Sequence, residues 1–203
     1  MNTAIRLSFL ATLMGLAACA GVPGQEANLD TSRPVTQIAD GRLAAPPPGF
    51  VSFCMHNLSV CTGAEQAAPA KVVLNDQNRA VLTAINDQIN RAIAYKTDYQ
   101  NFGVANRWRL DAVGNSGDCK DYALAKQQAL IAAGLPKEAL RIAIVKTARD
   151  ELHAVLTVDT DKGDFVLDSI NPVIVPWTDT SYSWLSRQSA GDPLRWLSLA
   201  RNF

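Results

Sequence analysis

Apolar residues recur at helical spacing through residues 75–96, where Leu82, Ile85, Ile89 and Ile93 are separated by Asn, Gln, Asp and Arg. The pattern predicts a long amphipathic helix, with Asn86 and Asn90 one turn apart on its solvated face. A second helix is predicted over residues 118–133. Asp118 and Asp121 open it in capping-box spacing, and Gly134 and Pro136 end it. Cys119, Tyr122, Lys126, Ala129 and Ala133 mark one side, where the alanines would let a sheet approach closely. From residue 141 the pattern changes to short runs rich in Val, Ile and Leu, at 141–146, 152–159 and 164–168, which read as strands. Shorter strands are expected around Trp184 and over 194–199. Helices followed by an antiparallel run predict an α+β domain.

The two ends of this pattern differ from its middle. Residues 1–19 have one early charge, Arg6, followed by an apolar run too short to span a bilayer, the form of an export signal. Leu16-Ala17-Ala18-Cys19 matches a bacterial lipobox, so Cys19 is the expected lipidation site; ordinary signal cleavage after Ala20 is the alternative. Ala20 is not the aspartate that commonly retains lipoproteins in the inner membrane, so the expected location is the periplasm, anchored to the outer membrane. Residues 20–50 are rich in Pro, Gly and Ala and read as a flexible tether, leaving 51–203 as the domain.

The chain has 203 residues, of which 48% are hydrophobic and 19% charged, with 19 basic residues against 19 acidic ones. A balanced charge excludes the electrostatic footprint of nucleic-acid binding, and membrane contact is expected only through the lipid anchor. Export also fixes how the four cysteines are read. Cys54 and Cys61 enclose a short loop and are expected to pair in an oxidising compartment, with zinc held by Cys54, His56 and Cys61 as the alternative. Trp177, Trp184 and Trp196 are expected in the core, the alternative being exposed anchors of a non-catalytic interaction module.

That leaves Cys119 unpaired, at the first position of a predicted helix, where free N–H groups and the helix dipole stabilise a thiolate and an oxyanion. Only two histidines are available, and one, His153, lies on a predicted strand. If residues 161 and 162 form a two-residue turn, Thr160 faces Gly163 and Val155 faces Asp168. His153 then shares a face with Asp168 as its diagonal neighbour. Cys119, His153 and Asp168 are the candidate nucleophile, base and orienting carboxylate of a thiol hydrolase or acyl transferase. Residues 159–163 faintly resemble an EF-hand loop, but Ile170 stands where its closing glutamate belongs, and that reading is rejected.

At Gly117-Asp118-Cys119-x-Asp121-Tyr122-Ala123, His153-Ala154-Val155-Leu156 and Leu167-Asp168, the sequence resembles the bacterial transglutaminase-like cysteine peptidases, which include the LapG periplasmic proteases. Phe53-Cys54 with Cys61, Asn86-x3-Asn90 and Asp98 also agree, and the likeness runs from about residue 50 to the C-terminus. The resemblance implies a papain-like, transglutaminase-like core using Cys119, His153 and Asp168. It implies a protein substrate such as a surface adhesin, cleaved in its N-terminal region, and regulation by a membrane receptor. In the LapG proteases an acidic residue follows the cysteine and calcium is bound nearby. Here Lys120 stands at that position, so no cofactor is expected to be required, and Asp118 and Asp121 remain as the candidate calcium ligands.

Overall fold

The computed structural model describes residues 34–63 and 70–199; the signal segment, Cys19 and residues 20–33 of the expected tether lie outside these residues. The apolar runs after residue 140 form β4 (Leu140–Lys146), β5 (Leu152–Thr160) and β6 (Gly163–Leu167), each within a residue or two of its expected span. β8 (Ser183–Gln188) and β9 (Trp196–Leu199) follow, with a short β7 (Val175–Pro176) between. Together with an N-terminal β1 (Asp40–Ala44) they build a seven-stranded sheet in the order β1-β9-β8-β4-β5-β6-β7. Every pairing in that sheet is antiparallel.

The helices lie on one face. α3 (Asp76–Ala92) is the first predicted helix, shorter at its C-terminal end, with the Asn75 side chain accepting from Asn78 N–H at 2.8 Å as its N-cap. α5 (Cys119–Ala132) is the second. Gly134, at φ 90°, and Leu135 close it, their N–H groups donating to Ile131 and Leu130 carbonyls in a Schellman motif. Its packing differs from the expectation. Ala133 is exposed, and the sheet is met instead by Ala123, Leu124 and Leu130, which join Ile142, Leu156, Val158, Phe165 and Leu167 in the main core. The side carrying Tyr122 packs on α3, where Tyr122 and Ala125 meet Ile89 and Ile93.

Burial of the opposite sheet face explains why the strands are nearly continuously apolar rather than alternating. Ala143, Val145, Val155 and Val166 point there, covered by Trp177, Trp184 and Ile38. All three tryptophans expected in the core are buried. Ile38 and β1 belong to the stretch read as a tether, and they correct that reading. Ile38 N–H donates to Asp164 at 2.8 Å, Trp177 Nε1 donates to the Thr36 carbonyl at 3.0 Å, and Asp40 pairs with Arg141 and Arg187 at 2.8 Å. A Pro- and Ala-rich composition signalled flexibility, while the few residues that anchor this segment are spread too thinly to form a periodic pattern.

The segment between α3 and α5 is ordered. It contains β2 (Ala94–Tyr95), α4 (Asp98–Phe102) and β3 (Ser116–Gly117), the two strands pairing in parallel. Trp108 packs edge-on against Phe50 at 5.0 Å between ring centroids. Phe50 belongs to α1 (Pro48–His56), which the Cys54–Cys61 disulfide joins to the single turn α2 (Leu58–Cys61). The disulfide removes the zinc alternative, because two of its three ligands are consumed. Among the described residues no His/Cys/Asp/Glu group of three or more is arranged to hold a metal ion.

Arg187 holds the N-terminal segment to the sheet. Its guanidinium donates to Asp164 at 3.0 Å, Asp159 at 3.2 Å, Asp40 at 2.8 Å and the Ile38 carbonyl at 2.7 Å. Asp164 is fully buried, so Arg187→Ala leaves a carboxylate without its charge partner. The expected loss is about 3–5 kcal/mol, read as a lower urea midpoint; a midpoint equal to that of the wild type would show that the network contributes nothing.

Candidate active site

The β5–β6 turn has the two residues that the pairing argument required. Thr160 pairs with Gly163 and Leu156 with Leu167, a register that carries Val155 opposite Asp168 just past the end of β6. Gly163 is needed at that turn: its φ is 113°, and a Cβ there would lie 2.4 Å from the Val35 carbonyl oxygen. His153 and Asp168 therefore share a face, and His153 Nε2 lies 2.7 Å from Asp168 Oδ1. Both residues are buried.

Cys119 begins α5, half-buried and unpaired. It lies near enough to His153 to raise the proton affinity of the imidazole. Burial works against the charged imidazolium, but the hydrogen bond and charge of Asp168, with those of Cys119, outweigh it and push His153 up to about 9. Asp168 moves the opposite way. Burial raises its pKa, yet His153, the Tyr182 hydroxyl and the Ile170 N–H (3.1 Å) hold it below its usual range.

Three residues that support Asp168 were not foreseen. Tyr182 donates to Asp168 Oδ2, and its ring lies 5.7 Å from that of His153. Lys126 Nζ and Asn90 Nδ2 both donate to the Asp168 carbonyl, at 2.8 and 3.0 Å. Lys126 is fully buried, which brings its pKa down to about 7 against the opposing charges of Asp168 and Asp87. Asn86, expected on a solvated face, is fully buried and donates to the Pro172 carbonyl at 2.7 Å. The repeated Asn-x3-Asn on α3 was the available signal: it pins the backbone on either side of residues 169–171. Tyr182 left no trace in the sequence, because nothing local relates it to Asp168.

The N-terminus of α5 carries the expected capping box, with Asp118 N–H donating to Asp121 Oδ2 at 3.1 Å. Lys120 folds back over it. Its ammonium lies 2.5 Å from Asp118 and 2.5 Å from Asp98, the first residue of α4. Burial pushes Asp121 up to about 6, the positive charge of Lys120 opposing.

A free cysteine at a helix start, beside a histidine that an aspartate holds from a neighbouring strand, is the arrangement of a thiol hydrolase. The family model of the bacterial transglutaminase-like cysteine proteinases matches residues 40–202, far more than half of the chain. The chain belongs to that family. This cysteine peptidase has the family's α+β fold, and two solved structures of one protease share it. Legionella pneumophila LapG in a calcium-bound form aligns over 76% of this chain and 80% of its own, at 21% identity and TM-score 0.52. An EGTA-treated form of the same protein aligns over 75% and 76%, at 22% identity and TM-score 0.51. Among curated proteins nothing matches. Family membership removes the non-catalytic alternative.

The peptidase has only two histidines, so the His153 titration can be followed by NMR without crowding. The folded imidazole should titrate near 9 rather than its ordinary 6.5, and Asp168→Asn should lower it. Because the folded value is raised, the stabilisation is complete below about 6.5 and is lost as pH rises through about 9. Thermal stability of the wild type should therefore fall across that window more steeply than that of Asp168→Asn. Parallel curves would contradict the pairing.

Proposed function

We propose that this peptidase is an exported, envelope-facing endopeptidase working through a Cys119–His153–Asp168 triad. The observation that carries the reading is the buried His153–Asp168 pair, hydrogen-bonded at 2.7 Å beside Cys119, with the cysteine at the first turn of α5. Nε2 of His153 is engaged by Asp168, so Nδ1 exchanges the proton with the thiol. An imidazole raised to about 9 is protonated at neutral pH and faces Cys119 as a cation, the state in which it can protonate a leaving amine.

The steps follow from these positions. Cys119 Sγ attacks the scissile carbonyl carbon, and the oxyanion is met by backbone N–H groups of the first turn of α5. Collapse breaks the C–N bond; His153 gives its proton to the departing amine, and a thioester remains on Cys119. His153 then takes a proton from water, whose oxygen attacks the thioester and releases the acid. Asp168 keeps the imidazole oriented and charged through the first step, while Tyr182, Lys126 and Asn90 keep Asp168 in place.

Export is supported by the Cys54–Cys61 disulfide, which belongs in an oxidising compartment such as the periplasm. Lipidation at Cys19 would anchor the protein to the outer membrane, facing envelope proteins. Its substrate class is then a surface adhesin or another envelope protein, under the control of a membrane receptor. Deleting the protein should raise the amount of surface-retained adhesin. Calcium, which one LapG structure contains, does not fit the residues present here: the ammonium of Lys120 already pairs with Asp118, one of the two candidate ligands, and with Asp98. The chemistry proposed above uses no metal.

Iodoacetamide modification of Cys119 tests the pair without a substrate. His153→Ala removes the imidazolium that faces the thiol, so alkylation at neutral pH should slow by roughly tenfold or more, and Cys119→Ala should abolish both labelling and peptide cleavage. Equal alkylation rates in the wild type and His153→Ala would defeat the triad.

A further inference from the structure

The proposed chemistry leaves unused a lysine and three carboxylates beside Cys119. Lys120 Nζ lies 2.5 Å from Asp98 Oδ2 and 2.5 Å from both oxygens of Asp118. Lys120 is 6% exposed and Asp98 3%. Asp121 is fully buried close by, its carboxyl raised by burial and by the negative charges of Asp118 and Asp98. Asp98 Oδ2 also accepts the Arg107 N–H, and its Oδ1 is buried without a hydrogen-bond partner.

Three carboxylates gathered in a space of low dielectric need a countercharge, and the partial charge of a helix N-terminus is too small to balance them. Lys120 supplies it. Burial lowers the proton affinity of its amine, but the hydrogen bonds to Asp118 and Asp98 and the charges of Asp118 and Asp121 more than reverse this, so the group stays an ammonium. It also joins stretches far apart in sequence. Asp98 begins α4, Arg107 lies in the segment after α4, and Asp118 is the N-cap of α5, one residue before Cys119. A divalent ion bridging the same carboxylates would connect the same stretches, since hard cations gather several oxygen ligands from separate segments.

We propose that the Lys120 ammonium is an internal structural cation. It takes the place of a bridging divalent ion between Asp98 and Asp118 and fixes the start of α5 with no metal bound. The link to Cys119 rests on the peptidase reading; the structural role does not. Removing the lysine head leaves buried oxygen ligands facing each other across the space it filled, a set suited to calcium. Lys120→Glu adds a further carboxylate to the same set.

The experiment compares the full-length wild type, Lys120→Ala and Lys120→Glu in EGTA and in millimolar calcium chloride. Two readouts are taken: melting temperature, and the rate of Cys119 alkylation. The wild type should give the same values in both media. In EGTA Lys120→Ala should melt about 10 °C lower, the scale expected from unpaired buried carboxylates, and should react more slowly at Cys119. Calcium should recover most of both losses in Lys120→Ala and give the larger melting shift in Lys120→Glu, which also covers the case in which Lys120→Ala does not fold in EGTA. A wild type that melts lower in EGTA, or two variants whose melting calcium leaves unmoved, overturns the proposal. Melting does not depend on thiol reactivity, so a failure of the triad would appear in the alkylation arm alone.

Discussion

The register of β5 against β6 is the constraint on which the candidate site depends. Side chains on a strand alternate between faces with a period of two residues, so a slip of one residue would move Asp168 away from the face that carries His153. The two-residue turn at Asp161 and Lys162 fixes that register, and Gly163 makes the turn possible. The same parity sorts the core. Leu156, Val158, Phe165 and Leu167 lie in the main core with Leu124 and Leu130, while Val155 and Val166 lie with Ile38 and Trp177. A slip would therefore exchange both apolar faces at once as well as separate the pair. The hydrophobic cost of the wrong register protects the geometry of the polar site.

α5 presents the opposite problem. A helix buried on nearly every side is expected to be apolar throughout, yet Lys120, Asp121, Lys126 and Gln127 are all buried in it. Each has a partner that its position makes available. Lys120 reaches back to Asp98 and Asp118, and Asp121 closes the capping box. Lys126 supports the Asp168 carbonyl, and Gln127 Nε2 donates to the Leu140 carbonyl at 2.8 Å. Such groups are costly when unpaired and contribute little when paired, so their presence is better explained by what they position than by the stability they add.

Legibility in the sequence followed the range of the interaction. Elements set by local periodicity and punctuation (α5 and strands β4, β5, β6 and β9) were readable within a residue or two, whereas α3 stops at Ala92 instead of running to residue 96 and the short β7 was not read. Cys119, His153 and Asp168 could be assembled because a helix start and a hairpin turn are local features whose geometry carries over to side chains. What escaped depended on contacts between distant segments. Asn86 and Asn90 have the composition of a solvated face, and only the loop after Asp168 shows that they are covered. Tyr182 and Asp40 reach their partners across more than one strand, and no spacing rule connects them. Residues 34–50 looked like part of a tether because their order comes from a few anchors, Ile38 and Asp40 above all, rather than from a repeating pattern.

The charge distribution around Cys119 adds a last consequence. A thiolate forming beside Asp118, with Asp98 and Asp121 behind it, would be disfavoured by three nearby negative charges unless cations offset them. His153 supplies one positive charge on the strand side and Lys120 another on the helix side. A bound metal ion makes the second contribution depend on the surrounding ion concentration, because ligand-linked stability follows mass action. An ammonium fixed to the chain removes that dependence, since at neutral pH no change in the medium can withdraw it. If the proposed role of Lys120 holds, control of this peptidase has to act through access to Cys119, by the conformation of the substrate or by a protein partner. A partner covering the start of α5 would block the nucleophile and the N–H groups that receive the oxyanion together, so one contact there would be enough to hold the protein inactive.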